Sequence, residues 1–118
     1  VDIGYHAYTA PCARIVGEFF SNRHTIILKN SKHITSEEMS KADAVIIDGD
    51  HSAAGFFLDL ALCMAYCPVG TIIVIDDWNH MPIQKTFKLF ENFFSVYEGL
   101  ENCDDQAFFL LSKSIRDC

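Results

Sequence analysis

Two short β-branched runs, each ending in acid, constrain this chain more than any other feature. Val45-Ile46-Ile47 leads into Asp48-Gly49-Asp50-His51, and Thr71-Ile72-Ile73-Val74-Ile75 leads into Asp76-Asp77-Trp78-Asn79-His80. A continuous apolar run of that length is the pattern of a strand covered on both faces by other elements. Between them, Ala53 to Tyr66 has helical periodicity through Phe56, Phe57, Leu60, Leu62 and Met64, and Pro68-Val69-Gly70 breaks it. Strand, helix, strand in that order is the unit of a parallel sheet, so the two acid-tipped strands are expected as neighbours about 4.8 Å apart.

The flanking segments extend the alternation. Pro11 to Phe20 places Ile15, Val16, Phe19 and Phe20 at helical spacing, with Pro11 suited to a first turn. His24 to Leu28 reads as a strand, and Thr35 or Ser36 followed by Glu37 and Glu38 reads as a helix start. Ala42 to Ile47 is apolar apart from Asp43. Pro82 to about Phe94 is amphipathic, with Ile83, Phe87, Phe90 and Phe94 on one side. Ser95 to Tyr97 and Ala107 to Leu111 then read as two terminal strands, paired antiparallel around the acidic loop Glu101 to Asp105. The expected fold is α/β: a doubly wound, mostly parallel sheet with an antiparallel C-terminal strand.

With 118 residues, 50% of them hydrophobic and 21% charged, the chain suits one domain over its whole length, 1–118. No repeat, linker or low-complexity stretch marks a boundary. A formal charge of -7 and nine scattered basic residues disfavour a nucleic-acid partner, whose phosphates must be neutralised by Lys and Arg. No apolar run approaches a membrane span, and Val1-Asp2-Ile3-Gly4 is unlike a signal peptide. A soluble, cytoplasmic protein without a membrane partner is expected. Five cysteines without framework spacing fit a reducing compartment. Cys63 and Cys67, one helical turn apart, read as core residues before they read as a redox or metal pair.

Ligands of such sheets bind beyond the carboxyl ends of the strands. Asp48, Asp76 and Asp77 would converge there, and like charges at that distance raise one another's pKa unless a cation or donors offset them. An oxygen-rich cluster suits a hard divalent cation such as Mg2+, and His51 and His80 stand ready as general bases or further ligands. The plainer possibilities remain beside these: Asp50 or Ser52 as the cap of the helix starting at Ala53, His51 and His80 as loop residues, and Trp78 as a packing group.

The stretch Asp43-Ala44-Val45-Ile46-Ile47-Asp48-Gly49-Asp50-His51-Ser52 resembles the signature of small class I methyltransferases related to the catechol O-methyltransferase group. The similarity continues through Asp59-Leu60 and Pro68-Val69-Gly70 and ends at Ile73-Val74-Ile75-Asp76-Asp77-Trp78. The resemblance implies a Rossmann-like fold of strand order 3-2-1-4-5-7-6, S-adenosylmethionine as cofactor, and a small-molecule methyl acceptor attacked through a hydroxyl. It implies Mg2+ held by Asp48, Asp76 and Asp77, with His51 as catalytic base. Asp2 then matches the acid that binds the cofactor ribose, Ser31 lies on the adenine side, and Asp48 also faces the cofactor.

This sequence departs from the family in its Gly-rich loop: no G-x-G-x-G is found, and Tyr5-His6-Ala7-Tyr8 does not supply one. Aligning Val1-Asp2-Ile3 with the family's second strand leaves the first, central strand and its loop unmatched. The expectation is therefore an N-terminally incomplete domain that grips the cofactor weakly alone and whose open edges favour a homo-oligomer. A degenerate, non-catalytic module serving association is the alternative. A phosphoacceptor receiver domain also gathers acids at strand ends, but its acid pair comes first and its lone acid later, the reverse of this order.

Overall fold

The computed structural model describes residue 1 and residues 7–20, 27–97 and 105–117. The chain falls into two compact units, Val1–Ile34 and Thr35–Cys118. In the first, helix α1 spans Thr9–Phe19, with Pro11 inside its first turn, and a 3-10 turn spans Ser31–His33. Gly17 is buried, whereas Ile15, Phe19 and Phe20 are exposed. The expected strand at His24–Leu28 lies mostly outside the described residues.

The second unit holds the sheet. Strands β1 (Ala44–Ile47), β2 (Ile72–Asp76), β3 (Phe94–Val96) and β4 (Gln106–Leu111) lie in the order β1-β2-β4-β3. β1 and β2 are parallel, with Ala44 opposite Ile72 and Ile47 opposite Ile75. β4 runs antiparallel to both of its neighbours. These are the last four places of the order that the sequence resemblance implies.

Local chemistry explains the elements. Helix α2 (Ser36–Ser40) starts with a capping box: the Thr35 hydroxyl accepts from the Glu38 N–H, and the Glu38 carboxylate accepts from the Thr35 N–H. Helix α3 (Ala53–Tyr66) is the crossover from β1 to β2, and the Ser52 hydroxyl caps it by accepting from the Gly55 N–H. Gly70 ends that connection with φ +95, a conformation costly for any side chain, and donates its N–H to the Leu111 carbonyl at 2.8 Å. Helix α4 (Met81–Leu89) opens with Pro82 in its first turn.

The core lies between the sheet and these helices. Phe56, Leu60, Cys63 and Met64 of α3 and Ile83 and Phe87 of α4 are buried with Ile47, Ile73, Ile75, Ala107 and Leu111 of the strands. Each large apolar side chain removed from water contributes about 2 kcal/mol. Phe87 stacks on Phe109 with ring centroids 4.3 Å apart. Cys63 and Cys67 are core residues, as the sequence suggests. The hydrogen bond between their thiols, then burial, pushes Cys63 well above the usual thiol range, and accepting that bond lowers Cys67.

Two expectations are corrected. Within this unit, and among the described residues, β1 is not covered on both faces: Ile46 is 67% exposed, while Ile47 beside it is buried. Helix α3 packs against α2, α4 and β1, so within this unit the covering helices share one face of the sheet. The opposite face, with Ala44, Ile46, Ile72, Val74 and Phe108, is half-buried or exposed. The second correction is that α4 stops at Leu89 and does not reach Phe94. Phe90 leaves the helical region, a 3-10 turn follows over Glu91–Phe93, and Phe94 begins β3. Phe94 matched the helix period, yet strand pairing buries it equally well against Phe87 at 5.2 Å. Among the described residues, no helix is long and apolar enough to cross a membrane.

Candidate active site

Register builds the site. Because Ile47 pairs with Ile75 across parallel strands, Asp48 and Asp76 leave β1 and β2 side by side. Their carboxyls hydrogen-bond one another. Burial first, then that bond and the charges of Asp76 and Asp77, raise the Asp48 pKa, while the nearby His51 works against the rise. Burial also pushes Asp76 up, but the donors around it prevail and its pKa is lowered. Those donors are the Gln106 side chain at 3.1 Å, the Asp48 carboxyl and the Asp77 backbone.

Asp77, one residue on, goes elsewhere. It adopts φ 54, the left-handed region rarely taken by residues other than glycine, asparagine and aspartate. Its carboxylate Oδ2 lies 2.9 Å from His51 Nδ1, with the two side chains 32% and 50% exposed, respectively. One ligand atom each from Asp48, His51 and Asp77 lies within 4.8 Å of the others. Asp76, also expected to hold the metal, is outside this group. The His80 ring stands perpendicular to that of His51, with centroids 6.0 Å apart.

Glycines and caps hold the β1 end in place. The Asp50 carboxylate accepts from the Ser52 N–H at 2.8 Å, and this bond holds its pKa down. A Cβ on Gly55 would overlap the Asp50 side chain, and one on Gly49 would come within 3.0 Å of the Asp59 carboxylate. Both glycines therefore serve close approach. At the β2 end, Asp105 accepts from the Trp78 N–H through its carbonyl and from the Asn79 N–H through its carboxylate. Gln84 Nε2 donates to the Trp78 carbonyl at 2.8 Å. Trp78 packs on Phe87 and Phe109 at 5.3 and 5.5 Å. It is thus a packing residue, and beside it an open cleft of about 450 Å³ runs along α4 past Lys85 and Lys88.

Gln84, Asp105 and Gln106 were missed by sequence reasoning. Only the register that sets Gln106 opposite Asp76 reveals its role, although a polar residue just before an apolar strand is a weak signal. Of the expected cofactor contacts, Asp2 lies outside the described residues. Ser31 lies in the first unit, its carbonyl accepting from the Ile34 N–H.

A family model described as a methyltransferase domain matches residues 3–78, well over half of the chain and ending at the Trp78 that closes the second acid-tipped strand. No curated protein and no solved structure matches. With the strand order and the strand-end acids on the same footing, the chain belongs to the class I S-adenosylmethionine-dependent methyltransferase-like domains.

Proposed function

We propose that the full-length protein transfers a methyl group from S-adenosylmethionine to a hydroxyl of a small molecule, assisted by a divalent cation such as Mg2+. The observation that carries this reading is the convergence of Asp48, His51 and Asp77 at the ends of two neighbouring parallel strands of a methyltransferase-like domain. The acceptor oxygen bonds the methyl carbon as the carbon–sulfur bond breaks, its electron pair passing to sulfur. His51, held at Nδ1 by Asp77, accepts the hydroxyl proton. Asp48 and Asp77 orient the acceptor, since in-line transfer depends on holding the two reactants in one geometry. Asp2 and Ser31 are assigned to the cofactor by the family alignment alone, with Asp48 at the same strand end.

The carboxylates of Asp48 and Asp77, within 4.8 Å of one another and partly open to solvent, fit a divalent cation, so that His51 remains the base. Bound there, the ion supplies Lewis-acid polarisation of the acceptor hydroxyl. The test is methyl incorporation from labelled S-adenosylmethionine into a panel of phenols, catechols and sugars, with Asp77→Ala as control. Incorporation that falls at least about 10²-fold in the variant supports the reading. No incorporation into any hydroxyl acceptor refutes it.

A second reading, a non-catalytic module serving association, is favoured by the exposed Ile46 on the sheet face that no helix of the second unit covers. Light scattering that finds a monomer at all concentrations removes it.

A further inference from the structure

Helix α3 carries one charged residue in its 14, Asp59. That carboxylate lies against the β1 turn, since a Cβ on Gly49 would come within 3.0 Å of its Oδ2. A helix that is apolar all round is ordinarily covered on every side. Within the second unit, the sheet covers one side, where Phe56, Leu60, Cys63 and Met64 are buried. At about 100° per residue, Ala54, Leu58, Ala61 and Ala65 fall on the side opposite. Leu58 there is 38% exposed, and Phe57 beside it is 46% exposed, its ring 5.5 Å from that of Phe90. Helix α4 packs along α3 and continues this surface: Met81 and Leu89, 57% and 77% exposed, line a shallow groove with Ala53.

At about 200 Å² for a large side chain in full contact with water, these four leave roughly 400 Å² of apolar surface exposed. Two such faces with their alanines, laid together, remove about 1,000 Å² from water, the lower bound of a specific interface. The face also suits a second copy in charge. Chains of formal charge -7 repel one another, and contact is least opposed where the surface carries no charge. Finally, the face fits itself. Ala54, Leu58, Ala61 and Ala65 step by four, three and four residues, the spacing of a helix–helix seam. In an antiparallel pair about a two-fold axis, Leu58 meets the partner's Ala61 and Ala54 meets the partner's Ala65. Large opposite small lets the two helices close without a void.

We infer that the outer face of α3, flanked by Met81 and Leu89 of α4, is the contact between two copies of this chain, with the two α3 helices antiparallel. The contact does not depend on methyl transfer, so the two readings fail separately.

The full-length protein is followed by sedimentation velocity over a concentration series, with circular dichroism of every variant. The expected result is a dimer with a dissociation constant in the micromolar range, as suits an interface of modest size. Leu58→Glu and Ala61→Lys each enter twice in a two-fold contact. Each is expected to raise that constant at least about 10²-fold. Leu58→Ala, too mild to unfold the chain, raises it about tenfold. Mixing the Leu58→Glu and Ala61→Lys proteins sets carboxylate against ammonium on one side of the axis and leucine against alanine on the other. A mixed dimer within about tenfold of the wild-type constant is then expected. Ile46→Ser, on the sheet face away from α3, leaves the constant within about threefold. A monomer at every concentration means another occupant or none, and overturns the inference. So does a dimer that survives Leu58→Glu with its fold intact, one dissociated by Ile46→Ser, or a mixture of the two charged variants that stays monomeric.

Discussion

The carboxyl ends of β1 and β2 carry similar motifs and solve different problems. The β1 end, Asp48-Gly49-Asp50-His51-Ser52, is a tight turn into α3. Two of its side chains, Asp50 and Ser52, satisfy backbone N–H groups, and glycines make room around them. That leaves Asp48 to its bond with Asp76 and His51 to its contact with Asp77. The β2 end, Asp76-Asp77-Trp78, has no glycine. Its backbone turns at Asp77 itself, in the left-handed region, and distant residues anchor it: Asp105, Gln84 and Gln106. One end is held by its own sequence neighbours, the other by partners that the fold brings in. A strained backbone at a reactive carboxylate is a common arrangement, since surrounding structure must hold what local preference does not.

The comparison breaks most severely at Asp77. Asp77→Ala is expected to abolish cation binding and lower methyl transfer by roughly 10²-fold or more, measured by calorimetry and label incorporation. The φ of 54 sharpens this: Asp77→Gly removes the site equally but relaxes the backbone. Asp77→Gly is then expected to be more stable than Asp77→Ala by about 1 kcal/mol in urea unfolding. Equal stability of the two variants would mean that the turn is not strained.

At the β1 end, the next largest effect belongs to Gly55. Gly55→Ala forces the Asp50 side chain to move and is expected to cost about 1–3 kcal/mol, more than alanine's better helix propensity returns. A lowered Tm and a weakened cation site in the same variant would tie the turn to His51 placement. Unchanged Tm would show that Asp50 shifts freely. Ser52→Ala removes only the cap hydrogen bond and is expected to cost about 1 kcal/mol of unfolding free energy.

The smallest stability effect is expected from Asp48→Asn. The amide can donate to the Asp76 carboxylate, so the hydrogen bond between the two side chains survives. Unfolding free energy should stay within about 0.5 kcal/mol, while cation affinity falls because a charged ligand is lost. A large destabilisation would mean that Asp48 has a structural role that the hydrogen bond to Asp76 does not account for.

Much of this was legible in the residues. The β-branched runs at Val45-Ile46-Ile47 and Ile72-Ile73-Val74-Ile75 mark the two strands, the 3.6-residue period marks α3, and Thr35 or Ser36 followed by Glu37 and Glu38 marks the start of α2. Of the two cap candidates, Asp50 and Ser52, it is Ser52 that caps α3. The end of α4 was misread because Phe90 and Phe94 suit either period, and a hydrophobic residue does not record which partner will bury it. The coverage of β1 was misread for a related reason: an apolar run states what a strand tolerates on its faces, not which elements arrive to cover them.

By itself, then, the sequence determined that acids would stand at the tips of two adjacent parallel strands, because periodicity and β-branching act locally and the crossover helix leaves few other topologies. Tertiary structure alone decided which acid does what. Asp76 and Asp77 are neighbours with the same side chain. Strand register gives Asp76 to Gln106 and Asp48, while a reversal of one backbone angle gives Asp77 to His51. Those are differences of position and dihedral, and residue type does not carry them.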